Sequence, residues 1–500
     1  MSVGNARPGA AATNAEAPNP SPQLDAVHTR RWRVLGILAV AQLMVALDAT
    51  VVNIALPTAQ RALHFGDSDR QWVVTGYALA FGSLLLIGGR LADLVGRRRL
   101  FLIGLAGFAA ASALGGAATG FTMLVVARAV QGLFAALLAP AGLSLLTTTF
   151  TDVRERARAF GVYGAVGAGG GAVGLLLGGL LTEYASWRWT LFINLGFAAL
   201  AMVGGLLWIP RTDTRERPGI DWPGTLTVSA GLFALVYGFS HAETAGWSDG
   251  ITVGFLAGAG VLLTAFSLIQ IRATHPLLPL RVVLDRNRGG AFLAMFAAAI
   301  GMFGVFLFLT YYLQLSQGYS AVRTGVAFLP MVAALIVAST IVATNLAPRV
   351  SPRILIPAGM LLSATGMWVL TGLGLHSSYA SHTLPGTMIF GAGLGVVFAS
   401  AVNLATSGVR ADDAGVASAA VNTVQQVGGS VGTALLNTLA ASATSSFAIA
   451  HRSAPEVSAL AAVHGYTVAY WWAAGFFAAG GLLVALLLRS GMAREQEIGP

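Results

Sequence analysis

Of 500 residues, 56% are hydrophobic and only 10% charged, against roughly 45–50% and 25% in soluble domains, so lipid rather than water must cover most of this chain. The formal charge of +9 does not describe a nucleic-acid surface, because the arginines fall in short clusters between apolar runs. The sequence holds no cysteine and no lysine, which excludes disulfides, thiolate metal sites, a phosphate-loop lysine and a retinal-type Schiff base.

Residues 1–30 are rich in Ala, Pro, Asn and Ser and predict a disordered tail. Arg30, Arg31 and Arg33 follow, then an apolar run over about 34–55, long enough for an uncleaved first span. It carries Asp48, the one acid set well inside a predicted span. The second span, about 72–92, ends in Gly89-Arg90-Leu91-Ala92-Asp93-Leu94-Val95-Gly96-Arg97-Arg98-Arg99. Its glycines allow a tight turn, and Asp93 is spaced to bond Arg97 or a helix N-terminus. Gly89, Asp93, Gly96, Arg97 and Arg98 are therefore candidates for a cytoplasmic gate, the alternative being an ordinary basic loop.

The third and fourth spans fall at about 100–120 and 122–147, and the fourth holds Arg128, the one base inside a span. At 1.5 Å per residue, Asp48 and Arg128 both sit roughly 10 Å below the outer surface. An ionised group at mid-bilayer costs about 2.5–3.5 kcal/mol on insertion scales, so such groups pair or function. They read either as a static ion pair or as a proton-coupling switch. The fifth span, about 158–182, contains Gly170, Gly174, Gly178 and Gly179 among nine glycines, read as close helix packing or as a sliding contact between halves.

A sixth span at about 189–209 closes the first half. Two more, about 222–240 and 251–270, form an insert. Six follow at about 289–313, 323–347, 354–375, 384–407, 414–440 and 467–488. With both termini cytoplasmic, 23 of the 29 arginines lie inside and five outside, with Arg128 buried between. The stretch 90–98 realigns with 345–353 at an offset of 255, and 150–179 echoes 409–436, as expected of parallel repeats. The chain therefore divides into a tail (1–30), a six-helix half (31–210), the insert with its flanking loops (211–282), a second six-helix half (283–490) and a short cytoplasmic tail (491–500). The expected fold is an all-α polytopic membrane protein of 14 transmembrane helices. Gln42, Tyr77, Gln131, Tyr312, Asn403 and Gln426 are polar at membrane depth and are candidates to line a substrate cavity. The histidines show no metal-ligand spacing and no nucleophile–base pair stands out, so neither a cofactor nor an enzyme is expected.

These motifs resemble those of the major facilitator superfamily. The stretch Gly89–Arg99 is similar to its signature between helices two and three, and Arg128-Ala129-Val130-Gln131-Gly132 to its fourth-helix motif. Leu47-Asp48-Ala49-Thr50-Val51-Val52-Asn53-Ile54-Ala55-Leu56-Pro57 resembles the first-helix signature of the fourteen-helix drug:proton antiporters, and Trp187-Arg188-Trp189 with Phe192-Ile193-Asn194 fits that branch. One departure is clear: Gly174-Leu175-Leu176-Leu177-Gly178-Gly179 lacks the proline of that branch's fifth-helix motif, which leaves import open beside export. The resemblance implies alternating access in the plasma membrane by a monomer. Its partners are protons, a small hydrophobic or cationic substrate and the bilayer, with no nucleic acid. Asp48 and Arg128 would couple the proton, and Asp93 and Arg97 would hold the cytoplasmic gate. A lipid or metabolite carrier, or a non-transporting receptor, remains an alternative on the same fold.

Overall fold

A computed structural model describes residues 22–66, 69–210, 221–273, 276–278, 280–347, 349–406 and 414–488, all of whose regular structure is helical. The first half comprises α1 (Pro22–Leu63), α2 (Arg70–Val95), α3 (Arg97–Gly116), α4 (Phe121–Thr149), α5 (Val153–Tyr184) and α6 (Trp189–Trp208). The insert is α7 (Trp222–Ala245) and α8 (Gly250–Arg272), followed by a single turn, α9 (Leu280–Val283). The second half comprises α10 (Arg286–Tyr311), α11 (Ala321–Ile341), α12 (Pro352–Leu370), α13 (Leu384–Thr406), α14 (Ala414–Ala450) and α15 (Val457–Leu487). Thirteen of these segments are long and apolar enough to cross a membrane. The fourteenth, α14, is diluted by Ser, Thr, Asn and Gln, yet it packs lengthwise between α10 and α15 as a full helix of 37 residues.

The two halves repeat one packing scheme. In the first, α1 lies against α5 and α6, α2 against α4, and α3 against α4 and α6; in the second, α10 lies against α14 and α15, α11 against α13, and α12 against α13 and α15. Bare glycine stripes allow this closeness. A Cβ on Gly170 would stand 2.8 Å from that of Ala46, and one on Gly178 would stand 3.0 Å from the Val51 carbonyl oxygen, so α5 presses its glycine face onto α1, Gly174 included. Lipid tails give apolar side chains no reason to prefer one another, so this backbone-to-backbone approach supplies the packing.

Three expectations change. Helix α1 starts at Pro22, so 22–30, expected as tail, is helical, while 1–21, 211–220 and 489–500 lie outside the described residues. The stretch Gly89–Arg99 is not an open loop: α2 continues to Val95, α3 starts at Arg97, and Gly96 alone turns the chain at φ +96°, a conformation that a side chain disfavours. The last helix starts at Val457, ten residues before the predicted span.

Arginines mark one face of the bundle. There Arg30 Nε donates to Trp208 O (3.1 Å), Arg31 pairs with Glu155 (3.4 Å), Arg98 Nη2 donates to Leu206 O (2.8 Å), and Arg286 Nη2 donates to Leu486 O (3.3 Å). The start of α1 and the end of α15 both lie on this face. Hydrogen bonds that tie one half to the other lie at the opposite, arginine-poor face. There Gln314 Nε2 donates to Ile54 O (3.0 Å), the Val322 N–H donates to Glu183 (3.0 Å), and Asn437 Nδ2 donates to Gln71 Oε1 (2.9 Å). The arginine-side stretch of α11 instead presents Ile336 and Val337, 47% and 57% exposed.

Candidate functional site

Asp48 and Arg128 meet. Arg128 Nη1 donates to Asp48 Oδ2 at 2.6 Å, with the two residues 2% and 0% exposed. Arg128 and Gln131 lie one turn apart on α4 and so share a face, and Arg128 Nη1 also donates to Gln131 Oε1 (2.6 Å). The two hydrogens of Gln131 Nε2 go to Asp48 Oδ1 (2.7 Å) and Ser112 Oγ (2.8 Å). Asn194 Nδ2, from α6, donates to the same Asp48 oxygen (2.8 Å) and to Ser112 Oγ (3.4 Å). Arg128 Nε donates to the Val73 carbonyl (3.3 Å) of α2, and its guanidinium stands 4.4 Å from the ring centre of Tyr77. The Tyr77 hydroxyl and Asn194 Oδ1 are buried and have no hydrogen-bond partner among the described residues.

Five helices of one half thus converge on a single carboxylate, which accepts from three donors and offers no hydrogen. That arrangement suits the ionised form, because every lone pair that faces the cluster is met by N–H and the opposite charge lies in contact. Stripped of Arg128, the carboxylate would be an unpaired charge in a dry interior.

The remaining candidates scatter. Tyr77 and Gln131 belong to the Asp48–Arg128 cluster. Tyr312 is packed away at the arginine-poor end, where its hydroxyl donates to Gly374 O (2.9 Å) and accepts from Gln317 Nε2 (2.8 Å), tying a helix end to a loop. Gln42 lies against Gly167 of α5. Gln426 is half-buried on α14, and Asn403 is exposed on α13. Arg98 holds the end of α6 within its own half through Gly205 O (3.4 Å) and Leu206 O. Gly89 faces Pro140 of α4, Arg97 is half-buried, and the Asp93 side chain lies outside the described residues. Gly179 stands apart from the other glycines, because its Cβ would fall 2.7 Å from Ala321 O, across the seam on α11.

Ser112 and Asn194 complete the site and were not among the candidates. A lone asparagine in the apolar run of α6 was the available signal, along with its place in the Phe192-Ile193-Asn194 motif. Ser112 gave none, since a serine in a membrane helix commonly bonds its own backbone, as this one also does to Phe108 O (2.8 Å).

A model of the Major Facilitator Superfamily matches residues 38–433. The chain belongs to that superfamily. It is 48% identical to the puromycin resistance protein of Streptomyces alboniger, over 94% of both chains. It is 39% identical to a cephamycin export protein of Amycolatopsis lactamdurans, over 82% of this chain and 85% of the relative. It is 36% identical to the tetracenomycin C resistance and export protein of Streptomyces glaucescens, over 83% and 76%. Its fold is that of a bacterial homologue of the human lysosomal transporter Spinster solved facing inward and occupied, at TM-score 0.63, 15% identity and coverage of 91% and 96%. A peptide transporter of the POT family is similar at TM-score 0.67 and 15% identity, covering 93% and 98%. A member of this superfamily with these helices is a multi-pass membrane protein.

Proposed function

We propose that this superfamily member is a proton-driven exporter of small antibiotic-like molecules in the plasma membrane, with both termini and its arginine-rich face in the cytoplasm. Relatives named for antibiotic resistance and export support the direction. One observation carries the coupling: Asp48 is fully buried and held by three donors within a single half. In this reading the protein rests open to the cytoplasm and shut outside, after Asp48 has released its proton. Protonated Asp48 would need an acceptor, which rotation of the Asn194 amide supplies in Oδ1. The exchange loosens the hold of Arg128 on α1, and α1 carries the Ile54 carbonyl that Gln314 grips across the seam. An inward proton also gains roughly 2.3 kcal/mol per 100 mV from the membrane potential.

The test is transport by purified protein in proteoliposomes against a panel of antibiotics with an imposed pH gradient. Wild type should move at least one compound against the proton flow. Asp48→Asn should lose gradient-driven movement while still exchanging labelled for unlabelled substrate. Gradient-driven transport unchanged in Asp48→Asn would reject Asp48 as the coupling group, and movement with the proton flow would make the protein an importer.

A further inference from the structure

At the arginine-poor face, α2 of the first half begins with Arg70, a buried arginine whose guanidinium lies 4.3 Å from the ring centre of Tyr311 in the second half. Tyr311 belongs to a cluster of rings from α10 and α15. Its centroid lies 6.4 Å from Tyr466, Phe308 lies 6.0 Å from Tyr466, and Phe308 meets Tyr470 edge-on at 6.4 Å. Tyr470 is 1% exposed, and its hydroxyl has no hydrogen-bond partner among the described residues. The second half offers a cation little else, because its sequence has no acidic residue between Asp285 and Asp412, and after Asp413 the next is Glu456 in a loop.

Arg70 and the rings belong to different halves. When this face opens, the guanidinium is carried off with α2, and the ring cluster loses the cation it was covering. We infer that the cluster of Tyr311, Phe308, Tyr466 and Tyr470 is a binding station for an organic cation, which Arg70 occupies in its place while this face is shut. Ring faces attract cations through their quadrupole, by about 0.5–2 kcal/mol as the site dries. They cannot replace the hydration of a small inorganic ion, whereas a quaternary ammonium or phosphonium sheds little water on entry. Arg70 then does two jobs: it seals the face, and on its return it displaces the cation from its resting place.

This inference rests on the export reading for its direction but is tested apart from it. The probe is tetraphenylphosphonium, titrated calorimetrically into the purified full-length protein, with neutral triphenylphosphine oxide as the comparison. Tyr311→Phe, which keeps the ring face, should hold the cation Kd within about twofold, and Tyr311→Leu should raise it about tenfold while leaving the neutral compound unaffected. Arg70→Gln, which removes the competitor, should tighten cation binding. The station is overturned if wild type does not bind tetraphenylphosphonium, if Tyr311→Leu weakens both compounds equally or neither, or if Arg70→Gln fails to tighten the cation. Loss of gradient-driven transport in Asp48→Asn beside absent phosphonium binding would sink the station and leave export standing. Ring-dependent binding in a protein that moves nothing under a gradient would support the station and sink export.

Discussion

Asp48 and Arg128 each solve the other's problem: neither charge has water, and each is the other's counter-ion. Removing one partner of such a pair costs on the order of 3–5 kcal/mol, because the survivor is left buried and unpaired. Arg128→Met should therefore unfold at a markedly lower temperature in detergent. The double variant Asp48→Asn with Arg128→Gln should regain much of that stability. Transport separates a coupling role from a merely structural one: a static pair predicts that the double variant recovers transport along with stability, and the coupling role predicts that it does not. Asn194→Val removes one donor to Asp48 and the spare acceptor together, and should slow gradient-driven transport more than Ser112→Ala, which strips only the hydroxyl that both amides share. The pair was legible in the sequence because a solitary acid and a solitary base in oil have no indifferent place to be. The amides and hydroxyl around them were not, since neutral polar side chains in membrane helices often satisfy themselves locally.

Among the helices, α5 shows how far a run of glycines can be read from sequence. Close packing was legible, but which neighbour each glycine meets depends on the rotation of the helix. Three of the four singled out face α1, while Gly179 faces α11, whose own Gly325 in turn leaves room for α5 at Leu175. A side chain at either position would collide with backbone and not with a movable tip. Gly179→Val and Gly325→Val should each stop the arginine-poor face from closing. With no native cysteine in the chain, spin labels on Tyr184→Cys and Arg323→Cys, both exposed at that face, give a distance free of background. That distance should lengthen in each valine variant, and an unchanged distribution would mean that the seam tolerates the bulk. The continuity of α2 almost to α3 is the corresponding miss: Gly89 and Gly96 look alike in sequence, and only Gly96 takes the left-handed turn.

For the whole molecule, hydropathy was enough to read thirteen helices long and apolar enough to cross, because the bilayer demands apolar length and leaves few alternatives. Helix α14, the crossing that hydropathy marks most weakly, bonds its neighbours through polar side chains: Asn437 Nδ2 donates to Gln71 Oε1 of α2, and Thr438 Oγ1 donates to Phe239 O of α7. The count is checked by fusions: a fluorescent protein at either terminus should light up in the cytoplasm, and alkaline phosphatase joined after Arg452 should be active outside. Activity reversed at Arg452 would mean one crossing fewer ahead of it. The insert has a further effect on shape. Helix α7 leans on α2 and on α14 at once, so it straddles the groove where one half borders the other. A two-lobed carrier has two such flanks open to the surrounding fat. Here the insert panels one of them, and for a greasy cargo arriving sideways the flank between α5 and α11 is the one that the insert leaves clear.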